Sequence, residues 1–185
     1  MEDTLGRIQV HDACGGKVMA RKKEKWAGKE NTSMSAQQNK ALARRFMDEV
    51  WNRGNLSFID EVTDPTFVSH DPAGPEDMGG GVEGAKQFVE MYRNAFPDIR
   101  MSVEDVIAEG DKVVTRWTVR ATHQGELMGI PPSGNRVELT GISIDRIEGG
   151  KFVETWSNYD ALGMMQQLGV MDSSSQEHSE EASPT

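Results

Sequence analysis

A few residues in this chain are of types and positions that could do chemistry. Asp160 stands immediately before the run ALGMMQQL. It can cap a helix by accepting from the first amide groups, which would hold its carboxylate acidic and make it a poor base. Turned into an apolar cavity instead, the same carboxylate would be a general base. His123 ends the alternating series Val113, Thr115, Trp117, Val119, Ala121, His123 and lies beside the glycine-bounded stretch Gly125–Gly134. It is either a structural hydrogen-bonder or a group that trades a proton with a bound carbonyl compound. His70-Asp71-Pro72 follows a short extended run. Neighbours on an extended chain point to opposite sides, so His70 is the candidate for a pocket wall and Asp71 for a turn start. A metal site of His70, Asp71 and His123 would lack any close ligand spacing such as H-x-x-x-H, so no metal centre is expected.

The elements that must position these groups are legible from periodicity. Ser35-Ala36-Gln37-Gln38 fits a capping box, and Leu42, Phe46 and Val50 recur at helical spacing, with Ala43, Met47 and Trp51 beside them, up to Gly54. A shorter helix over Leu56–Glu61, a short extended piece over Thr66–Ser69 and a loop over 71–81 follow. Ala85, Phe88, Val89, Tyr92 and Phe96 mark a second long helix, stopped by Pro97. The period then changes. Ile99–Glu109 and Lys112–His123 flank Gly110-Asp111, and Arg136–Glu148 and Lys151–Tyr159 flank Gly149-Gly150. These four runs predict two hairpins and hence an antiparallel meander. A closing helix over Ala161–Leu168 meets Gly169 at its end.

Helices first and long strands afterwards predict an α+β fold, a cone-shaped barrel in which a curved antiparallel sheet packs on the N-terminal helices. The more apolar face of the run Lys112–His123 carries Trp117 and Val119 and is the expected interior wall. Tyr92, Trp156 and Tyr159 are candidates for further aromatic wall. Leu127, Met128, Ile130, Pro131 and Pro132 make an apolar loop, read as a lid or an oligomer contact, and Met164, Met165 and Leu168 as a plug for the core.

Composition bounds the class. Of 185 residues, 36% are hydrophobic and 27% charged, and the formal net charge is -10, which disfavours a nucleic-acid partner. No apolar run has membrane-span length and the start lacks a secretory h-region, so no membrane partner and a cytoplasmic location are expected. The one cysteine, Cys14, permits no internal disulfide. Residues 1–34 lack apolar periodicity and read as a disordered extension, 35–171 as the folded domain and 172–185 as a disordered acidic tail. Met34, directly before the capping box, is a candidate native initiator.

The stretch from Ala121 to Val170 resembles the SnoaL-like polyketide (ester) cyclase family. The marks are H-x-G-x-x-x-G-I-P-P-S-G at His123–Gly134, R-I-x-x-G-K-x-x-E-x-W at Arg146–Trp156 and D-x-x-G-x-x-x-Q-L-G at Asp160–Gly169. W-N-x-G at Trp51–Gly54 and A-F-P-D at Ala95–Asp98 add to it. The resemblance covers about residues 35–171 and implies the nuclear-transport-factor-2-like cone, a homodimer or homotetramer packed through the sheet, and chemistry with no metal and no organic cofactor. The characterised cyclases close a ring by intramolecular aldol condensation of a polyketide ester, with an aspartate as acid/base. That aspartate's position falls on Ser157 here, and the position of its helper histidine on Ser143. The resemblance therefore implies a small hydrophobic carbonyl compound as ligand. Asp160 and His123 are the catalytic candidates, and His70, Trp117, Val119, Ser143, Trp156 and Ser157 the substrate-binding ones. Two other functions stay open: a binding or carrier module of the same fold, which the two serines favour, and an oligomeric interaction protein with a filled interior.

Overall fold

The computed structural model describes residues 35–75 and 80–171. The readings made of 1–34 and 172–185, with Met34 and Cys14 among them, lie outside the described residues. The capping box forms as its spacing predicts: the Gln38 amide donates to Ser35 Oγ at 3.3 Å and the Ser35 amide to Gln38 Oε1 at 2.8 Å. Helix α1, Ala36–Phe46, then widens into a π-helical turn, Met47–Asn52. The turn ends on Asn52, whose side-chain amide both donates to the Met101 carbonyl at 3.0 Å and accepts from the Met101 N–H at 2.7 Å. One residue thereby staples the helix to the sheet. Helix α2 is Ser57–Val62 and α3 is Gly81–Ala95. The closing helix α4, Ala161–Leu168, ends on Gly169 in the left-handed region at φ 80°.

The strands are β1 Thr63–His70, β2 Arg100–Glu109, β3 Lys112–Thr122, β4 Arg136–Glu148 and β5 Lys151–Tyr159. They form one sheet in the order β1-β5-β4-β3-β2. The two hairpins lie where their glycine turns predict, with Gly110 and Gly149 at φ 59° and 57°. The first extended piece differs from expectation. It is eight residues long and pairs parallel with β5, so the sheet is mixed rather than wholly antiparallel. Pro65 is tolerated because β1 is an edge strand.

One face of the sheet packs against the helices. On β3, Val113, Thr115, Trp117, Val119 and Ala121 are buried while Arg116 and Arg120 are exposed. On β4 the inward series is Val137, Leu139, Gly141, Ser143, Asp145 and Ile147. Gly141 is required by a close approach: a Cβ there would lie 2.3 Å from Cζ2 of Trp117. The missing side chain is thus the space the indole fills. Two apolar clusters hold the ends of the cone. One gathers Phe96, Val137, Leu139, Met164 and Leu168, the other Val50, Phe58, Ile59, Val113 and Phe152. Leu127 is fully buried in the first cluster, and the amides of Gln124 and Gly125 donate to the Ala95 carbonyl. The 125–134 loop is therefore pinned to the end of α3 rather than free as a lid.

Candidate functional site

Between the two clusters the cone encloses a cavity of about 810 Å³. Its apolar wall includes Met47, Phe88, Tyr92, Trp117, Val119 and Leu139. The polar groups on that wall come mainly from β4 and β5, because the antiparallel register pairs Asp145 with Thr155 and Ser143 with Ser157. With Tyr159 two residues further along β5, these side chains make a stripe down the inner face.

Asp145 is the carboxylate among them. Its residue surface is 6% exposed, and its one side-chain hydrogen bond is accepted from the Thr155 hydroxyl. Burial pushes its carboxyl up to about 6, against which the Thr155 bond works only partly. One register step away, Trp117 Nε1 donates to Ser143 Oγ at 3.0 Å, and Ser143 Oγ lies 3.1 Å from Ser157 Oγ. At the next step the Tyr159 and Tyr92 hydroxyls are 3.0 Å apart. Asp71 borders the same cavity, its carboxyl raised by partial burial and drawn back by the amides of Ala73 and Gly74.

The residues expected from the sequence separate into groups. Trp117, Val119, Ser143 and Ser157 converge on the inner wall. His70 and Trp156 also border the cavity. The register sets them opposite one another in the β1–β5 pair, with Trp156 opposite half-exposed Ile144 on β4. The two rings stack at 5.2 Å, and His70 Nε2 meets Glu154 at 3.0 Å. His123 is wholly buried outside the cavity. Its ring lies 5.3 Å from that of Phe96, and its Nδ1 accepts from the Ser133 amide at 3.1 Å. It ties the 125–134 loop to β3. Asp160 is exposed and accepts from the Gly163 amide at 2.8 Å, which makes it the α4 cap. It borders a shallow depression on the outer side with Arg116 and Ile142, not the interior.

Asp145 and Thr155 were not among the expected site residues. The signal was available: strand alternation applied to β4 puts Asp145 in phase with Val137, Leu139 and Ile147, a carboxylate on an otherwise apolar face. Asp71 turns inward because the chain bends there, its carboxylate accepting from the Ala73 amide at 3.0 Å. Among the described residues no three His, Cys, Asp or Glu side chains converge as metal ligands, and no helix is long and apolar enough to cross a membrane.

Fold and cavity together define a cone-shaped α+β protein whose interior is largely apolar and carries a polar stripe. The chain belongs to the SnoaL-like polyketide cyclase family, whose model matches residues 41–168. Among solved structures it is similar to TsrD from Streptomyces laurentii, at 28% identity over 75% of this chain and 99% of that one, with a TM-score of 0.68. AclR from Streptomyces galilaeus, a candidate hydroxylase, is 35% identical over 74% of this chain and 84% of its own, with a TM-score of 0.64. IdmH from Streptomyces antibioticus, a candidate polyketide cyclase, is 33% identical over 71% of this chain and 99% of its own, with a TM-score of 0.62. No functionally curated protein matches the chain.

Proposed function

We propose that this protein is a cofactor-independent acid/base enzyme acting on a small hydrophobic carbonyl compound, and that Asp145 rather than Asp160 is its base. The observation that carries this reading is a carboxyl on the wall of an apolar cavity, raised by burial to about 6. A carboxylate so raised is a stronger base than one in water and is still ionised at neutral pH, the combination that proton abstraction from carbon requires. The carboxylate takes the proton next to the ligand's carbonyl, the C–H electron pair becomes a carbon–carbon double bond, and the carbonyl π pair moves onto oxygen as an enolate. That oxygen needs a donor. When Trp117 donates to Ser143 and Ser143 to Ser157, the Ser157 hydroxyl proton is left for it. Return of the proton at another carbon gives isomerisation. Attack of the enolate carbon on a second carbonyl of the same molecule gives ring closure, and the resulting alkoxide takes back the proton held by Asp145.

A second reading is a carrier. The family's aspartate and histidine positions are Ser157 and Ser143 here, which favours holding a ligand without transforming it. One experiment separates the two. The full chain is incubated in D₂O with 2-acetylnaphthalene, and deuterium entry into the methyl group is followed by mass spectrometry. Exchange reduced by at least about 100-fold in Asp145→Asn is expected of a general base. The rate as kcat/KM should rise with pH through about 6, because the active form is the carboxylate. Saturable binding with no exchange above the Asp145→Asn variant would establish the carrier.

A further inference from the structure

The Tyr92–Tyr159 pair takes no part in the proton transfer just described. Both residues line the cavity, Tyr92 from α3 and Tyr159 from the last position of β5, and Tyr92 is only 9% exposed. Their hydroxyls, 3.0 Å apart, are each other's only hydrogen-bond partners among the described residues. In such a pair one hydroxyl spends its proton on the other, and the second proton has no acceptor. Lone pairs on both oxygens also stay free. A buried hydroxyl proton without an acceptor is costly, and a ligand oxygen would remove that cost.

The pair also stands at a defined distance from the proposed base. Asp145 lies across from Thr155, and Thr155, Ser157 and Tyr159 point the same way at every second position of β5. Four residues of strand separate the two poles by ~13 Å. Trp117, Val119 and Leu139 supply apolar wall in that interval. The charge at the tyrosine pole is set by Asp71, which borders the cavity and whose negative field acts on both tyrosines. Among the described residues no Lys or Arg side chain lines the cavity to offset it. An anionic oxygen would therefore be repelled there, while a neutral hydroxyl or carbonyl would be accepted.

We propose that the Tyr92–Tyr159 hydroxyl pair is a second binding pole of the cavity, which takes an uncharged hydroxyl or carbonyl oxygen at the end of an elongated apolar ligand remote from Asp145. This rests on the reading of Asp145 as the pole at which the carbonyl reacts. The ligand is thus a molecule oxygenated at both ends, and the tyrosines select the state of the far oxygen.

The test uses three matched probes on the full chain: 2-acetylnaphthalene, 6-hydroxy-2-acetylnaphthalene and 6-acetyl-2-naphthoic acid. Dissociation constants are measured by calorimetry at about pH 7. The hydroxy probe should bind about 5- to 10-fold more tightly than the plain ketone, the worth of one neutral hydrogen bond. The carboxylate probe should bind more weakly than the plain ketone. In Tyr92→Phe/Tyr159→Phe the ratio between hydroxy and plain probes should fall to about 1, and in Asp71→Asn the carboxylate penalty should shrink. Retention of the hydroxyl preference in the double Phe variant overturns the proposal, as does equal affinity for all three probes or binding of none. Deuterium exchange into the acetyl group reads the other pole separately. A hydroxyl preference that depends on the tyrosines, with no exchange by the wild type, would sink the acid/base reading and leave the binding pole standing.

Discussion

Asp145 lies on an inward series whose other members are Val137, Leu139, Gly141, Ser143 and Ile147, so its carboxyl is buried by the same alternation that builds the core. The cost of that burial is measurable. Its folded-state value of about 6 lies above the ordinary 3.8, so the folded chain holds this proton more tightly than the unfolded chain does. Stability from this group is full below about pH 4 and is lost as pH rises to about 6, after which it is constant. An asparagine can still accept from Thr155 and never ionises. Asp145→Asn should therefore gain on the wild type by on the order of 2–3 kcal/mol between about pH 4 and pH 7. Urea denaturation at the two pH values checks this, and an unchanged difference would mean that the carboxyl is not desolvated. A more stable variant that no longer exchanges protons is the expected signature of a strained functional group.

At the scale of the element, α4 shows how one motif serves a structural end. In Asp160-Ala161-Leu162-Gly163 the carboxylate folds back over the first turn, and a Cβ at Gly163 would lie 2.1 Å from Asp160 Oδ2. The glycine leaves room for the cap, and the cap holds a helix whose Met164 and Leu168 close the cone. Asp160→Ala should cost about 1 kcal/mol in thermal or urea unfolding, and Asp160→Asn, which still caps, much less. Neither should change deuterium exchange, since the residue faces the outer depression. Loss of exchange in Asp160→Asn at unchanged stability would return Asp160 to the chemistry. The same logic covers His123, whose ring joins β3 to the 125–134 loop rather than to a ligand.

Across the whole molecule, the outer face of the sheet has one continuous row. The register aligns Ile107, Val114, Ile144 and Trp156 across β2, β3, β4 and β5, and His70 of β1 extends it. Ile107 is 62% exposed, Ile144 38% and the neighbouring Ile142 48%, an apolar surface larger than a lone side chain. This row is the face through which a homodimer or homotetramer is expected to pack. Sedimentation of the wild type should give an oligomer, and Ile107→Lys/Ile144→Lys should give a monomer, because each interface would then bury unpaired charges. A monomeric wild type would contradict this. The cavity lies against the opposite face of the sheet, so the monomeric variant should still bind 2-acetylnaphthalene.

What was legible in the sequence was what local physics decides. Period 3.6 marked the helices, period 2 the strands, and glycines the turns at Gly110, Gly149 and Gly169. Ser35 and Gln38 marked the first cap. Strand alternation also placed Trp117 and Val119 on the inner face, since a side chain's face depends only on its place in the strand. The parallel pairing of β1 with β5 was not legible, because strand pairing across about 90 residues leaves no local mark. The cavity's chemistry was decided by tertiary assembly. The carboxyl of Asp145 is raised only because the assembled apolar wall excludes water from it, against the opposing pull of the Thr155 hydroxyl. Two tyrosines 67 positions apart become a pair only when α3 and the end of β5 meet.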